Sequence, residues 1–394
     1  MNRLLFLFLL GGLVGSAKAQ NALTEAEVVD RILANSPAIR ASDLSIRQSG
    51  QLLKGAYSIP NLDVFTDSPS GEFYTIGINQ VFQLPTVYKR QYQIQNQQIG
   101  LAQTEKRITQ NDIRFRVRSL YLALQYAEAT RLKFQFQDSV YNQLRIAAGR
   151  QFAAGQIDYL GQAVAESQAG EVRNQLAQAQ ADALTITRQL QRLSGQPDPI
   201  QVAALGRNQL IAALTDPDST ALGQNPSLAF FRQTEIISQQ QIGLERARSL
   251  PGLMVGYYNQ SSRETPTQLR FRFGLTLPVW FGQYRSRTAA AQTGLQVARQ
   301  RTMAQVQTLS VDLQQAQGDF AKYQASVDYY ETTGLRQSDE VINTARRLFQ
   351  AGQNDYVNYL RTINEAYAIR QRYLDALRDY NQSLLTINYL TGNL

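Results

Sequence analysis

The stretch Phe152-Ala-Ala-Gly-Gln-Ile-Asp-Tyr159 decides the fold, because it returns almost unchanged as Phe349-Gln-Ala-Gly-Gln-Asn-Asp-Tyr356. The two copies are offset by 197 residues, and each one interrupts a long block without proline. A glycine is the usual residue at the end of a helix, and an aspartate soon after it commonly forms a turn or caps the next helix. The repetition therefore predicts two helical hairpins, each of which turns at this motif.

Other landmarks repeat in the same order and show that the whole mature chain is duplicated. They are Asn35-Ser-Pro37 with Asn225-Pro226, Leu84-Pro85 with Leu277-Pro278, and Leu193-Ser-Gly195 with Leu390-Thr-Gly392. We interpret residues 20–218 and 219–394 as two copies of one structural unit. Each copy is far longer than the 20 to 50 residues of a solenoid repeat.

The blocks around the duplicated motif have the properties of very long helices. All 11 prolines lie outside residues 86–196 and 279–394, and a proline inside a helix costs about 3 kcal/mol. Apolar residues follow the seven-residue period of coiled coils. We expect helical hairpins at about 87–194 and 281–391, in which each outgoing helix spans roughly 95 to 105 Å at 1.5 Å per residue.

A pair of short alternating segments precedes each helical hairpin and predicts a β-hairpin, at about 61–82 and 253–277. About ten residues is the length of a strand that crosses a membrane. We expect one face of these strands to contact lipid, with Arg270 and Arg272 on the opposite face, in a barrel lumen. The expected lipid-facing residues are Tyr74, Ile76, Ile78, Leu269, Phe271, Phe273 and Leu275.

The number of strands predicts an oligomer. Four strands cannot close a barrel, and an open edge in lipid leaves backbone groups unpaired at several kcal/mol each. Three chains would supply twelve strands and a water-filled bore, so a trimer is favoured. A small soluble sheet packed on helices is the alternative interpretation of the same alternating pattern.

The N-terminus and the composition indicate export and weigh against most enzyme classes. Residues 1–19 have the positive start, apolar stretch and Ala-Lys-Ala end of a secretory signal peptide. The chain contains no cysteine and no histidine, so thiol chemistry, histidine bases and the commonest metal ligands are absent. We find no nucleotide or cofactor motif. The net charge of +8 is spread along the sequence, unlike a nucleic-acid footprint.

The chain resembles the TolC family of outer-membrane efflux proteins. The resemblance rests on the duplicated Phe-x-x-Gly-x-x-x-Tyr turns and on the Leu-Pro pair that follows each predicted β-hairpin. The resemblance covers essentially the whole mature chain. It implies a mainly α-helical subunit with a small membrane β part. Three subunits would share a twelve-stranded barrel in the outer membrane and a helical tunnel through the periplasm.

The resemblance also implies partners and a docking region. A periplasmic adaptor, or membrane fusion, protein would join the channel to an inner-membrane pump in a tripartite efflux or type I secretion system. It would bind the tips of the helical hairpins. The residues expected at these tips are Phe152, Gly155, Asp158, Phe349, Gly352 and Asp355.

The chain departs from the family at the periplasmic entrance. Some members close the entrance with acidic side chains six and nine residues after the second tip glycine, where this chain has Asn358 and Arg361. We therefore expect no carboxylate ring at that gate. The irregular segment from about 197 to 224 would form a belt around the tunnel.

Two other functions remain open at this point. A periplasmic coiled-coil adaptor or scaffold without a pore would keep the hairpins but dissolve without detergent. An exported enzyme would need converging carboxylates, which the sequence does not reveal. As cargo of a channel, heavy-metal cations or drugs are favoured only weakly, by the short length of the chain.

Overall fold

A computed structural model of the chain describes residues 23–67, 75–195, 197–200, 202–208, 221–259 and 270–394. The predicted fold class, mainly α-helical with a small sheet, is confirmed. The predicted signal peptide at residues 1–19, together with Tyr74 and Leu269, lies outside the described residues.

Eight helices occur in the described part of the chain, and a single 3-10 turn at Ala221–Gln224 precedes the fifth. They are α1 (Glu25–Asn35), α2 (Pro37–Lys54), α3 (Pro85–Ala153), α4 (Tyr159–Ser194), α5 (Pro226–Arg248), α6 (Phe281–Tyr329), α7 (Leu335–Gln350) and α8 (Tyr356–Thr391). With its 69 residues, α3 is roughly 100 Å long. None of the helices within the described ranges has the length and apolar character needed to cross a membrane.

Local sequence explains where several of these helices begin. Proline occupies the first turn of α2, α3 and α5, a position where its missing N–H costs no hydrogen bond. Helix α1 begins with a capping box, in which Thr24 and Glu27 bond to each other's backbone N–H groups. We predicted no element for residues 25–54 or 226–248 from the sequence, although these proline and capping signals are present there.

The four strands form one antiparallel sheet in the order β1 (Asp63–Asp67), β2 (Thr75–Phe82), β3 (Gly252–Asn259) and β4 (Phe271–Thr276). The central pair joins the two halves of the chain, since β2 pairs with β3 in a register that sets Ile78 opposite Tyr257. Among the described residues, the outer strands β1 and β4 each pair with one strand, which leaves two open edges in this part of the sheet.

The long helices lie side by side in a single row. Helix α3 packs against α2 and α4, and also against α5 and α8. Helix α6 packs against α5 and α8, and α7 packs against α8. The row therefore has α2 and α4 at one edge and α6 and α7 at the other. Like the sheet, the row of described helices has two open edges.

Short and long helices stack end to end through a pair of asparagines. The Asn35 amide, at the end of α1, donates to the Ser194 carbonyl at 2.9 Å, and the Asn225 amide, before α5, donates to the Leu390 carbonyl at 2.8 Å. Each bond satisfies a carbonyl that the end of a helix leaves without an intrahelical partner. This explains why asparagine recurs at corresponding places in the two copies.

The second outgoing helix is not continuous, contrary to the expectation of one helix from about 281 to 349. A π-helical turn at Tyr330–Gly334 separates α6 from α7. It contains one residue more than an α-helical turn and so shifts the register of α7 relative to α6. Gly334 is needed there, because a Cβ atom at this position would lie 2.9 Å from the Tyr330 ring.

Candidate functional site

One face of the sheet is apolar and exposed. Phe273 is 80% exposed, and Leu275 and Val64 are each 65% exposed. Their neighbours on this face, by the alternation of the strands, include Ile76, Ile78, Leu253, Val255 and Phe271. A contiguous apolar surface of this kind indicates contact with lipid or protein. Of the residues expected to face lipid, all five that the structure describes lie here.

The opposite face of the sheet is polar and rich in glycine. It presents Asp63, Asn79, Arg272 and Thr276, with Gly77, Gly256 and Gly274 between them. The same face also carries Phe65, Val81, Met254 and Tyr258. Arg270 lies immediately before β4, and its guanidinium donates to the Asn259 side chain at 3.0 Å. The two arginines expected in a lumen therefore differ, because Arg272 lies within the polar face and Arg270 at the end of the strands.

The first tip is a compact turn between α3 and α4. Gly155 has φ +70°, a left-handed conformation that glycine adopts without steric cost. The Gln156 N–H donates to the Gln151 carbonyl at 2.8 Å, which closes the end of α3. Asp158 then caps α4 by accepting from the Gly161 N–H at 2.8 Å, and the Phe152 and Tyr159 rings meet edge to face.

The second tip repeats this construction between α7 and α8. Gly352 has φ +71°, and Asp355 accepts from the Asn358 N–H at 2.8 Å. This bond and the side chain of Asn358 hold the pKa of the Asp355 carboxyl below its usual range. Both aspartates of the motif thus serve as helix caps, which stabilise the start of a helix.

The two tips differ in exposure. Tyr159 of the first tip is 72% exposed, whereas Tyr356 of the second is 3% exposed and donates to the Leu144 carbonyl of α3 at 2.5 Å. An open groove of about 590 Å³ lies between the tips and is lined by residues of both, including Asp158 and Asp355. The structure thereby brings the two copies of the motif together at one end of the helical row.

The two residues at the expected gate, Asn358 and Arg361, differ from each other in their surroundings. Asn358 is tied to Asp355 through both its backbone and its side-chain amide. Arg361 is exposed on α8, and Glu365, one turn further on, is exposed as well. Within the described ranges, no three acidic side chains converge where they could hold a metal ion.

A polar network that the sequence did not reveal joins α3 to α8. The Lys133 ammonium donates to Gln371 Oε1, and the Gln371 amide donates to Asp375 at 3.0 Å. The Tyr126 hydroxyl donates to the same carboxylate at 2.5 Å. Burial lowers the pKa of Lys133 to about 8, although Asp375 acts in the opposite direction. No local motif marks these residues, since α3 and α8 meet only in the folded chain.

This network predicts a specific pH dependence of stability. The folded pKa of Lys133 lies below its usual 10.5, so the unfolded chain binds more protons between these values. Thermal stability should rise between pH 8 and 9, where tyrosines with their ordinary pKa of 10 are still mostly protonated. Lys133→Met should remove this rise, as measured by circular dichroism of purified protein in detergent. An equal rise in both proteins would show that Lys133 is not responsible.

The comparisons with known proteins agree with this geometry. Residues 219–393 match the family described as outer membrane efflux protein. The cobalt-zinc-cadmium resistance protein CzcC of Cupriavidus metallidurans is 25% identical over 249 residues, which are 62% of this chain and 59% of that protein. The chain therefore spans less than two thirds of the curated relative it matches.

Solved structures share the fold over nearly the whole chain. The channel-forming protein CusC superposes with a TM-score of 0.80 at 16% identity, covering 94% of this chain and 92% of that one. The outer membrane channel CmeC of Campylobacter jejuni superposes with a TM-score of 0.77 at 14% identity, covering 94% and 85%. The duplicated tips and the two-faced sheet thus accompany a match of residues 219–393 to the outer membrane efflux protein family and a fold shared with CusC and CmeC over nearly the whole chain.

Proposed function

We propose that the protein is an outer-membrane channel that assembles as a homotrimer and serves as the passive conduit of a tripartite efflux system. The observation that carries this proposal is the sheet, which is exposed and apolar on one face, polar on the other, and unpaired at β1 and β4. Such a sheet is incomplete in one subunit. Several copies can close it into a barrel with lipid outside and water inside.

Closure also explains the open edges of the helical row. The edge formed by α6 and α7 exposes Met303, Val311 and Tyr329, and the edge formed by α4 exposes Leu160 and Leu184. When one edge of a subunit pairs with the other edge of the next copy, head to tail, successive copies form a ring if the rotation between them closes. Three copies would give a twelve-stranded barrel, which is wide enough for an aqueous bore. The same rotation would close the helices into a periplasmic tunnel.

In this proposal the hairpin tips meet the other components of the system. The groove between the two tips offers backbone and polar groups at one end of the row, where a periplasmic adaptor could bind. The channel itself supplies no energy, because it has no nucleotide-binding motif. The driving force would come from an inner-membrane pump linked through the adaptor.

We propose heavy-metal cations as the cargo, with drugs as the alternative. This choice rests on the name of the relative CzcC, a cobalt-zinc-cadmium resistance protein. A passive tunnel needs no metal-binding site of its own. Deletion of the protein in its host should therefore lower tolerance of cobalt, zinc or cadmium. Lowered tolerance of drugs alone would favour the alternative.

Reconstitution in planar bilayers tests the channel. Purified protein should require detergent, behave as a trimer in light scattering, and give discrete conductance steps. A scaffold or adaptor without a pore would instead be soluble without detergent and silent in the bilayer. That result would overturn the proposal.

A further inference from the structure

A row of large side chains crosses the polar face of the sheet. The Phe65 ring on β1 meets the Tyr258 ring on β3 edge to face, with 5.1 Å between their centroids. The Arg272 guanidinium on β4 lies over the Tyr258 ring, with its central carbon 3.8 Å from the ring centroid. Stacking of this type between a cation and an aromatic ring is favourable by roughly 0.5 to 2 kcal/mol.

Glycines make room for this row. A Cβ atom on Gly77 would lie 2.2 Å from the Phe65 ring, and one on Gly256 would lie 3.0 Å from the Tyr258 ring. Arg272 is the cross-strand partner of Gly256, so no side chain stands between the guanidinium and the ring. The Phe65 and Tyr258 rings therefore lie close to the backbone at these glycines, and Arg272 rests on the Tyr258 ring.

Among the described strand residues of this face, the acidic ones, Asp63 and Asp67, are on β1, at the opposite edge of the sheet from Arg272. Asp63 is on the polar face of β1, whereas Arg272 is on β4 at the far edge of the four-stranded sheet. With neighbouring strands about 4.8 Å apart, the two residues are separated by roughly 14 Å. That distance exceeds the screening length of about 8 Å at physiological salt. On the described strands, Arg272 thus places a positive charge on β4 at the level of Asp63, Asn79 and Gly256.

We propose that Arg272, held by Tyr258 and Phe65, forms with its copies in the trimer a cationic collar around the barrel lumen. The collar lowers the passive permeability of the bore to small cations in both directions while leaving the bore open. This inference rests on the proposed channel function, and it specifies a residue that controls which ions pass. Rings of charged side chains bias permeation in this way because the bore excludes much of the bulk water that would screen them.

The test is the reversal potential of the purified trimer in a planar bilayer across a potassium chloride gradient. We expect Arg272→Gln to lower the chloride-to-potassium permeability ratio by about twofold or more. Arg272→Lys, which keeps the charge, should leave the ratio near that of the unchanged protein. Tyr258→Leu releases Arg272 from the wall, so the single-channel conductance should fall while the ion preference is retained.

The possible outcomes distinguish failure of the proposed collar from failure of the proposed channel function. If all variants conduct and Arg272→Gln leaves the ratio unchanged, the collar is wrong and the channel stands; neutralisation by Asp63 of a neighbouring copy would produce this result. If Arg272→Gln and Arg272→Lys change the ratio equally, the charge is not the cause, and the collar is again wrong. If the unchanged protein gives no conductance, the proposed channel function itself fails.

Discussion

Replacing Gly392 by alanine should destabilise the protein far more than the corresponding replacement of Gly195. Both glycines end a returning helix in the left-handed region, with φ +76° and +77°. At Gly392 a Cβ atom would also lie 2.5 Å from the Gln224 carbonyl oxygen, whereas at Gly195 the nearest atom is the Asn35 amide nitrogen at 3.6 Å. The contact at Gly392 is with backbone, so no side-chain rotation can relieve it.

The loss of stability expected for each variant follows from the left-handed backbone conformation and from the contact of the new Cβ atom. Gly195→Ala should cost about 1–2 kcal/mol, the penalty of the left-handed conformation alone. Gly392→Ala should cost about 3–4 kcal/mol, because the α5–α8 junction and its Asn225 hydrogen bonds must also move. Denaturant unfolding of both variants in detergent measures the difference. Equal losses would mean that the junction between α5 and α8 is looser than its geometry indicates.

Phe273→Arg should prevent insertion of the protein into the outer membrane. Phe273 is the most exposed large side chain described on the apolar face of the sheet, in the middle of β4. An arginine at the lipid-facing midplane of a barrel costs about 2–4 kcal/mol, and a trimer incurs this cost in all three copies. We expect the variant to be produced and exported but absent from outer-membrane fractions, and to give no trimer in mild detergent.

Thr276→Arg is the matched control, since it places the same charge on the same strand. Thr276 is exposed on the polar face, beside Gly274 and Arg272. A charge there would face water in the assembled barrel and should be tolerated. If Phe273→Arg inserted as well as Thr276→Arg, the apolar face would not contact lipid, and the proposed orientation of the sheet would be wrong.

The sequence contained the local parts of the site. The duplicated glycine and aspartate marked two turns because left-handed backbone and helix capping are properties of a few neighbouring residues. The alternation in β4 separated Phe271, Phe273 and Leu275 from Arg272 for the same reason, since side chains on a strand point to opposite faces in turn. The roles of these residues in docking and in lining a lumen stay predictions.

Other parts of the site depend on residues that are far apart in the chain. Lys133 meets Gln371 only because α3 packs against α8, and the stack of Phe65, Tyr258 and Arg272 needs three strands from both halves. The two copies of the tip motif also differ in their packing. Tyr159 is exposed in the first copy, whereas the corresponding Tyr356 is buried in the second. No short window of sequence contains both partners of such contacts.

By itself, the sequence determined the helical hairpins, their turning points, the β-hairpins and the two faces of at least one strand, since each depends on propensity and periodicity over short distances. The tertiary structure alone decided that β2 pairs with β3, that helices stack through Asn35 and Asn225, and that a π-turn breaks the second outgoing helix. These features depend on long-range packing, in which the partner of each residue is fixed by the closure of the whole chain.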